Sequence, residues 1–253
     1  MSAENSNGSI EVQIENNIAT ITFSHPASNS FPSELLQKLT DELQNLHHNN
    51  KVSVIILQSS GKTFCAGASF DELLSINDFE TGKKFFSGFA NVINAMRKCP
   101  KFIIGRIQGK TVGGGVGIAA ATDYCMATQF AAIKLSELNV GIGPFVVSPA
   151  IERKMGVSAT SQIAIDANSF YDAKWAKEKG LFANVYESIE ALDEAVLAFA
   201  KHLCTYNPEA MLEMKKIFWR GTEDWDNLLA ERAAISGRLV LSEFTKETLK
   251  KFK

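Results

Sequence analysis

Three short segments of this 253-residue chain carry residues whose types and spacing suit chemistry on a bound ligand. The first is Gly61-Lys62-Thr63-Phe64-Cys65-Ala66-Gly67-Ala68-Ser69-Phe70. Small residues at Ala66, Gly67 and Ala68 leave the backbone open to close approach, and successive N–H groups at such a turn can form an anion-binding nest. The same residues also suit a tight surface turn with no ligand. The second segment runs from Gly109 to Ala120 and contains the triplet Gly113-Gly114-Gly115 just before a helical pattern. A helix N-terminus presents unpaired N–H groups and a partial positive charge, which suits a developing oxyanion and is worth about 2.7–4 kcal/mol per donor. Close helix–strand packing also favours glycine there. The third segment is Lys134-Leu135-Ser136-Glu137-Leu138-Asn139-Val140-Gly141-Ile142-Gly143-Pro144-Phe145. Glu137 is its single acid. Half-burial disfavours the charged form of a carboxylate and lifts its pKa toward useful base strength. The alternatives are an exposed carboxylate, or an ion pair with Arg106, Arg153 or Lys134.

Two other glycine patterns lead elsewhere and fail on spacing. Gly105-Arg106-Ile107-Gln108-Gly109-Lys110-Thr111 is one residue short of a phosphate-wrapping P-loop. Gly115-Val116-Gly117-Ile118-Ala119-Ala120 matches a dinucleotide fingerprint, but the next strand ends near Ala127-Thr128-Gln129 without the acid that would hold a ribose. The cysteines, Cys65, Cys99, Cys125 and Cys204, form no C-x-x-C pair and no zinc-ligand spacing with histidine, so no metal is expected. They read as buried thiols in a reducing compartment. His25, His47, His48 and His202 have no nucleophile beside them. A net charge of −2 argues against a polyanion-coating protein. The first eight residues, Met1 to Gly8, are polar, no run of 18 apolar residues occurs, and Lys250-Lys251-Phe252-Lys253 is not a peroxisomal address. These features make the cytoplasm the expected location.

The pattern of elements needed to position these segments is α/β. Ile10–Ile14 and Ile18–Phe23 alternate around Asn16-Asn17 and predict a hairpin. A helix capped by Ser33 follows Pro32, with leucines at 35, 36, 39, 43 and 46. Strands are expected at Val52–Leu57, Phe102–Ile107 and Tyr124–Ala127, and helices at Phe79–Lys98 and Val116–Ala121. Strands alternating with helices imply parallel βαβ units. Phe85, Phe86 and Phe89 fall on the core face of the long helix, where they suit either core or an acyl pocket. From Ala150 on, the pattern is helical almost throughout. Residues 1–200 read as a β/α core and 201–253 as a helical C-terminal region, packed on its own core or on a neighbouring subunit.

Taken in order, the hairpin, Ala66-Gly67-Ala68, Gly113-Gly114-Gly115, Glu137 before a Gly/Pro turn, and the helical tail resemble the enoyl-CoA hydratase/isomerase (crotonase) superfamily. The resemblance spans nearly the whole chain. It implies a crotonase-like spiral of βαβ units, C-terminal helices that build a homotrimer or hexamer, and coenzyme A thioester substrates with no separate cofactor. It makes Ala68 N–H and Gly114 N–H the oxyanion hole, Glu137 the catalytic acid or base, and Lys62, Ala66 and Gly67 the coenzyme A-binding positions. Two departures stand out. The first of the two glutamates usual in family hydratases falls at Gly117, and Ser69 stands where an aspartate is common. Hydration divides water activation and carbon protonation between two carboxylates, whereas moving a double bond from C3 to C2 needs one base. The expected activity is therefore proton transfer at a thioester α-carbon, isomerase ahead of hydratase. Asp71, Glu72 and Asp78 are the candidates for a substitute acid. A non-catalytic binding protein on the same fold is the reading from another class.

Overall fold

The computed structural model describes residues 7–251, so the polar stretch before Asn7 and the final Phe252-Lys253 lie outside the described residues. The chain opens as an antiparallel hairpin of β1 (Ser9–Glu15) and β2 (Ile18–Ser24). Asn16 and Asn17 take φ of 50° and 65°, as a tight hairpin turn matched to strand twist requires and asparagine tolerates. Helix α1 (Ser33–His47) buries the five leucines that predicted it. Its start corrects the expected Ser33 cap. Pro32 occupies the cap position, while Ser33 N–H and Oγ–H donate to Glu72 Oε2 at 2.8 and 2.9 Å. A carboxylate satisfies those orphan donors more strongly than a serine hydroxyl would.

Next come β3 (Val54–Ser59), α2 (Phe70–Ser75), α3 (Phe79–Lys98), β4 (Phe102–Ile107), β5 (Thr111–Val112), α4 (Gly114–Ala121), β6 (Tyr124–Thr128) and β7 (Ala132–Lys134), then a 3₁₀ turn at Glu137–Val140. The strand expected from Val52 starts at Val54, and the helix expected from Val116 starts at Gly114, which makes Gly113 its cap and Gly114 and Gly115 part of its first turn. Helices α5 (Ser148–Ile165), α6 (Ala173–Glu178), α7 (Ile189–Leu203), α8 (Pro208–Phe218), α9 (Trp225–Leu239) and α10 (Glu243–Lys250) complete the chain. Two strands interrupt the helical run expected after Ala150. β8 (Tyr171–Asp172) pairs antiparallel with β7, and β9 (Asn184–Tyr186) pairs parallel with β6. Strands of two and three residues are too short to print an alternating pattern, so they follow from pairing and not from periodicity.

The main sheet has the order β1-β2-β3-β4-β6-β9, parallel from β2 onward, and β5-β7-β8 form a second sheet. Both faces of the main sheet are covered, which is why β3 reads as the unbroken run Val54-Ile55-Ile56-Leu57. Ile21, Phe23, Ile55, Leu57 and Ile103 join α1, α3 and α4 in one core. Val54, Ile56, Ile104 and Met126 face Leu192, Val196 and Ala200 of α7 in another. From the C-terminal region, α9 lies against α3, where a Cβ on Gly82 would sit 2.9 Å from Gly237 O. Leu229 and Ala233 of α9 enter the main core, so this helix packs on its own chain. No helix among the described residues is long and apolar enough to cross a membrane.

Candidate active site

In open parallel sheets, ligands bind beyond the carboxyl ends of the strands. The first two glycine-bearing loops leave β3 and β4 at those ends, and backbone bonds then tie all three segments together. Val112 N–H donates to Cys65 O at 2.8 Å, joining the second loop to the first, and Gly113 N–H donates to Lys134 O at 2.8 Å, joining it to the third. Side chains that sequence reasoning passed over brace the same region. Asn29 Nδ2 donates to Ser60 O and Thr63 O at 2.7 Å each, and Gln108 Nε2 reaches Ser59 Oγ at 2.9 Å. Only their polarity at buried positions could have signalled them. Gln108→Ala is expected to lower stability by about 1 kcal/mol, the net worth of a typical hydrogen bond, read as a fall of a few degrees in the thermal midpoint.

The three segments enclose one cavity of about 270 Å³ whose wall includes Ala66, Gly67, Ala68, Gly113, Gly114 and Glu137. Five of the six sequence-predicted site residues, all but Lys62, therefore come together. Lys62 is exposed and takes no part in the wall. Among the described residues no intramolecular acceptor is found for Ala68 N–H or Gly114 N–H. Their neighbours are occupied: Ser69 N–H donates to Phe31 O and Gly67 N–H to Cys65 Sγ. Two unspent donors on the wall of one cavity are the arrangement an oxyanion needs. Gly113 (φ 54°, ψ −122°) holds a conformation closed to other L-residues, and its absent Cβ would lie 3.0 Å from Glu137 Oε1. Gly115 lets the helix approach Cys65, where an added Cβ would sit 2.6 Å from Cys65 Cβ. Burial pushes the Cys65 thiol up to about 12, which makes it packing and no nucleophile.

Glu137 begins the 3₁₀ turn, which ends at Gly141 in the left-handed conformation (φ 80°). Its Oε2 is fully buried with no hydrogen-bond partner. Desolvation raises its pKa to about 7, against a smaller lowering by its own backbone N–H. The ion pairs considered from sequence do not form: Arg106 Nε pairs with Asp193 at 2.6 Å, and the Arg153 guanidinium stacks on Trp219 at 4.3 Å. The rest of the wall is largely apolar, formed by Phe70, Leu73, Phe86, Val140, Ile142 and Leu249. Of the three phenylalanines considered for an acyl pocket, Phe86 lines this cavity. Phe85 and Phe89 sit in the core, Phe89 against Gly114.

The place of the missing second acid is filled. A Cβ on Gly117 would lie 2.4 Å from Val147 Cβ. The substitute acids are engaged or distant: Glu72 accepts from Ser33, Asp78 caps α3 through Thr81 N–H at 2.8 Å, Asp71 is exposed, and none of the three lines the cavity.

The family model described as enoyl-CoA hydratase/isomerase matches residues 13–252. The chain belongs to the enoyl-CoA hydratase/isomerase family, a family of enzymes. A peroxisomal Delta(3,5)-Delta(2,4)-dienoyl-CoA isomerase of Arabidopsis thaliana is 31% identical over 196 residues, covering 72% of this chain and 69% of that protein. A probable enoyl-CoA hydratase of Bacillus subtilis (strain 168) is 26% identical over 250 residues, covering 96% and 95%. The crystal structure of an enoyl-CoA hydratase from Bacillus halodurans superposes with a TM-score of 0.89 at 21% identity, covering 96% of this chain and 99% of that one. That likeness establishes the crotonase fold.

Proposed function

We propose that this enzyme moves the double bond of a 3-enoyl coenzyme A thioester to the 2-position, with Glu137 as its single acid–base group. The carboxylate takes a proton from C2, and the electron pair delocalises onto the thioester oxygen. Ala68 N–H and Gly114 N–H stabilise that dienolate oxyanion. Glu137 then returns the proton at C4, which leaves the double bond between C2 and C3 and regenerates the carboxylate. Every proton is carried by Glu137, so the step calls on no cofactor beyond the coenzyme A of the substrate. One observation carries the reading: Glu137 is the only carboxylate among the residues of the cavity wall, and Val147 fills the space a second would need at position 117. A hydratase is the second reading. It is favoured by the B. subtilis relative, whose name is that of a probable hydratase, and by Ser136 and Asn139 on the wall, which could hold a water.

The test is a spectrophotometric assay on paired 2-enoyl and 3-enoyl thioesters of medium chain length. Appearance of 2-enoyl absorbance from the 3-enoyl substrate, without its later loss, is expected. Loss of 2-enoyl absorbance through hydration would favour the second reading. Binding without turnover of either would sink both. The proposal extends to assembly as a homotrimer or a hexamer built from trimers, to which the outward apolar face of α8 at Met214, Ile217 and Phe218 would contribute, and to a cytoplasmic setting that suits the unpaired thiols. A monomer in sedimentation would remove the first of these.

A further inference from the structure

Helix α5, the turn between α8 and α9, and α9 itself border a second cleft, of about 410 Å³. No residue of its wall lines the catalytic cavity. Small-ligand sites occupy about 300–1,000 Å³, so the cleft is large enough for one. Three arginines reach its wall: Arg153 from α5, Arg220 from the turn and Arg232 from α9. Trp225 and Leu228 supply an apolar part, and Glu152 is the single acid of the wall. Among the described residues none of the three guanidinium groups has a carboxylate within ion-pair distance or a hydrogen-bond acceptor in the protein. Glu223, close to Arg220 in the chain, accepts from Gly221 N–H at 3.0 Å and stays off the wall.

Arg153 is held in place for a partner it does not find in the chain. Its guanidinium stacks on Trp219, whose Nε1–H donates to Asp123 Oδ1 at 3.0 Å and whose ring meets Trp225 edge-on at 5.8 Å. The N–H groups of a guanidinium lie in its plane, so stacking by the flat face leaves them unspent at the edge. Asp123 does not take them: its oxygens accept from Ile103 N–H, Lys215 Nζ and the Trp219 indole. Burial lowers the pKa of Arg153, against a smaller raising by Asp123. Three guanidinium charges against the one carboxylate of Glu152 leave two uncompensated on the wall, the charge of a dianion. We propose that Arg153, Arg220 and Arg232 bind a small organic dianion, with its charged groups on the guanidinium edges and its carbon body on Trp225 and Leu228. Phosphate monoesters and short dicarboxylates share that chemistry, and both match the arginine fork. An inorganic ion would leave the apolar part of the wall uncovered. The site is independent of the reaction at Glu137.

The experiment is calorimetric titration with glycerol 3-phosphate, succinate and acetate at about pH 7.5, where phosphate monoesters are dianionic, at one ionic strength held with sodium chloride. The proteins are the wild type, R153Q, R220Q/R232Q and E152Q. The wild type is expected to bind at least one of the two dianions about tenfold or more tighter than acetate, and the tighter of the two identifies the ligand as ester or dicarboxylate. R153Q and R220Q/R232Q are each expected to lose at least about tenfold in affinity, the worth of a hydrogen bond to a charged group. E152Q is expected to bind tighter, because it removes the one negative charge from the wall. R153Q also removes the stacking on Trp219; if circular dichroism shows it unfolded, R220Q/R232Q, exposed at both positions, carries the test. A wild type that binds neither dianion, or binds acetate as well, would overturn the assignment. So would an unchanged affinity in the folded arginine variants, or weaker binding by E152Q. Absent dianion binding together with a smaller sedimentation coefficient for R220Q/R232Q would give these arginines to a second copy of the chain instead.

Discussion

Glu137→Gln is expected to lower kcat on a 3-enoyl thioester by about 10²–10⁴-fold, the range a positioned acid–base group contributes. The residual rate would come from the two N–H donors, which the substitution leaves in place. In the wild type the base must be deprotonated, so kcat/KM should fall as pH drops through about 7, the value to which burial raises this carboxyl. The same variant carries a stability signature of opposite sign. In the unfolded chain the carboxyl titrates near 4.5, and in the folded protein near 7. A group whose folded pKa is raised contributes stability that is fully present below the lower value and lost as pH climbs through the higher one. At pH 8 the folded wild type therefore holds a charge on a carboxylate whose Oε2 is buried without a partner, at a cost of up to about 3 kcal/mol. Glutamine removes that charge. Glu137→Gln should melt several degrees above wild type at pH 8, and the difference should close by pH 4. A variant that is inactive but no more stable at pH 8 would mean that the carboxylate is solvated and its basicity ordinary.

This trade locates the site physically. The chain spends folding free energy to keep an ionisable oxygen dry, beside the position that only a glycine can hold at Gly113. A backbone conformation reserved for glycine and an unsatisfied carboxylate oxygen gathered at one cavity are what a functional site leaves behind in an otherwise consistent fold.

The parts of the candidate site were legible in the sequence because each is local. Each of the three turns announces itself through residues adjacent in the chain, and the structure brings Ala66, Gly67, Ala68, Gly114 and Glu137 to one wall. Long periodic elements were legible for the same reason: Phe79–Lys98 and Phe102–Ile107 fall where periodicity and punctuation put them. What stayed hidden depends on partners far apart in sequence. Ser33 is a sound cap by type, yet Glu72, 39 residues on, takes its hydrogen bonds. Arg153, Arg220 and Arg232 become neighbours only across the cleft between α5 and α9. The solitary acid likewise invited three salt bridges on paper, and the fold turned each cation elsewhere. Gly117 shows the limit most directly. A missing carboxylate can be read from one letter, but whether the vacated space is open or filled cannot.

That space is filled by Val147, and the consequence can be measured. Gly117→Ala would put a Cβ 2.4 Å from Val147 Cβ inside the α4–α5 contact. Alanine would gain about 1 kcal/mol in helix propensity over glycine. Overpacking a close-packed contact costs about 1–3 kcal/mol and occasionally more, and so short an approach belongs at the upper end. The net expectation is a loss of about 2 kcal/mol, or roughly 4–8 °C in the thermal midpoint. Val147→Gly, which opens a void, should also destabilise on its own. The double variant should be more stable than the sum of the two changes predicts, by at least about 1 kcal/mol, because each substitution relieves the fault of the other. Additive losses would mean that Val147 does not occupy the space beside Gly117, and the steric argument against a second acid would fall with it. Non-additivity would instead make the glycine and the valine one feature: a helix packed so tightly against Val147 that no second carboxylate fits at position 117.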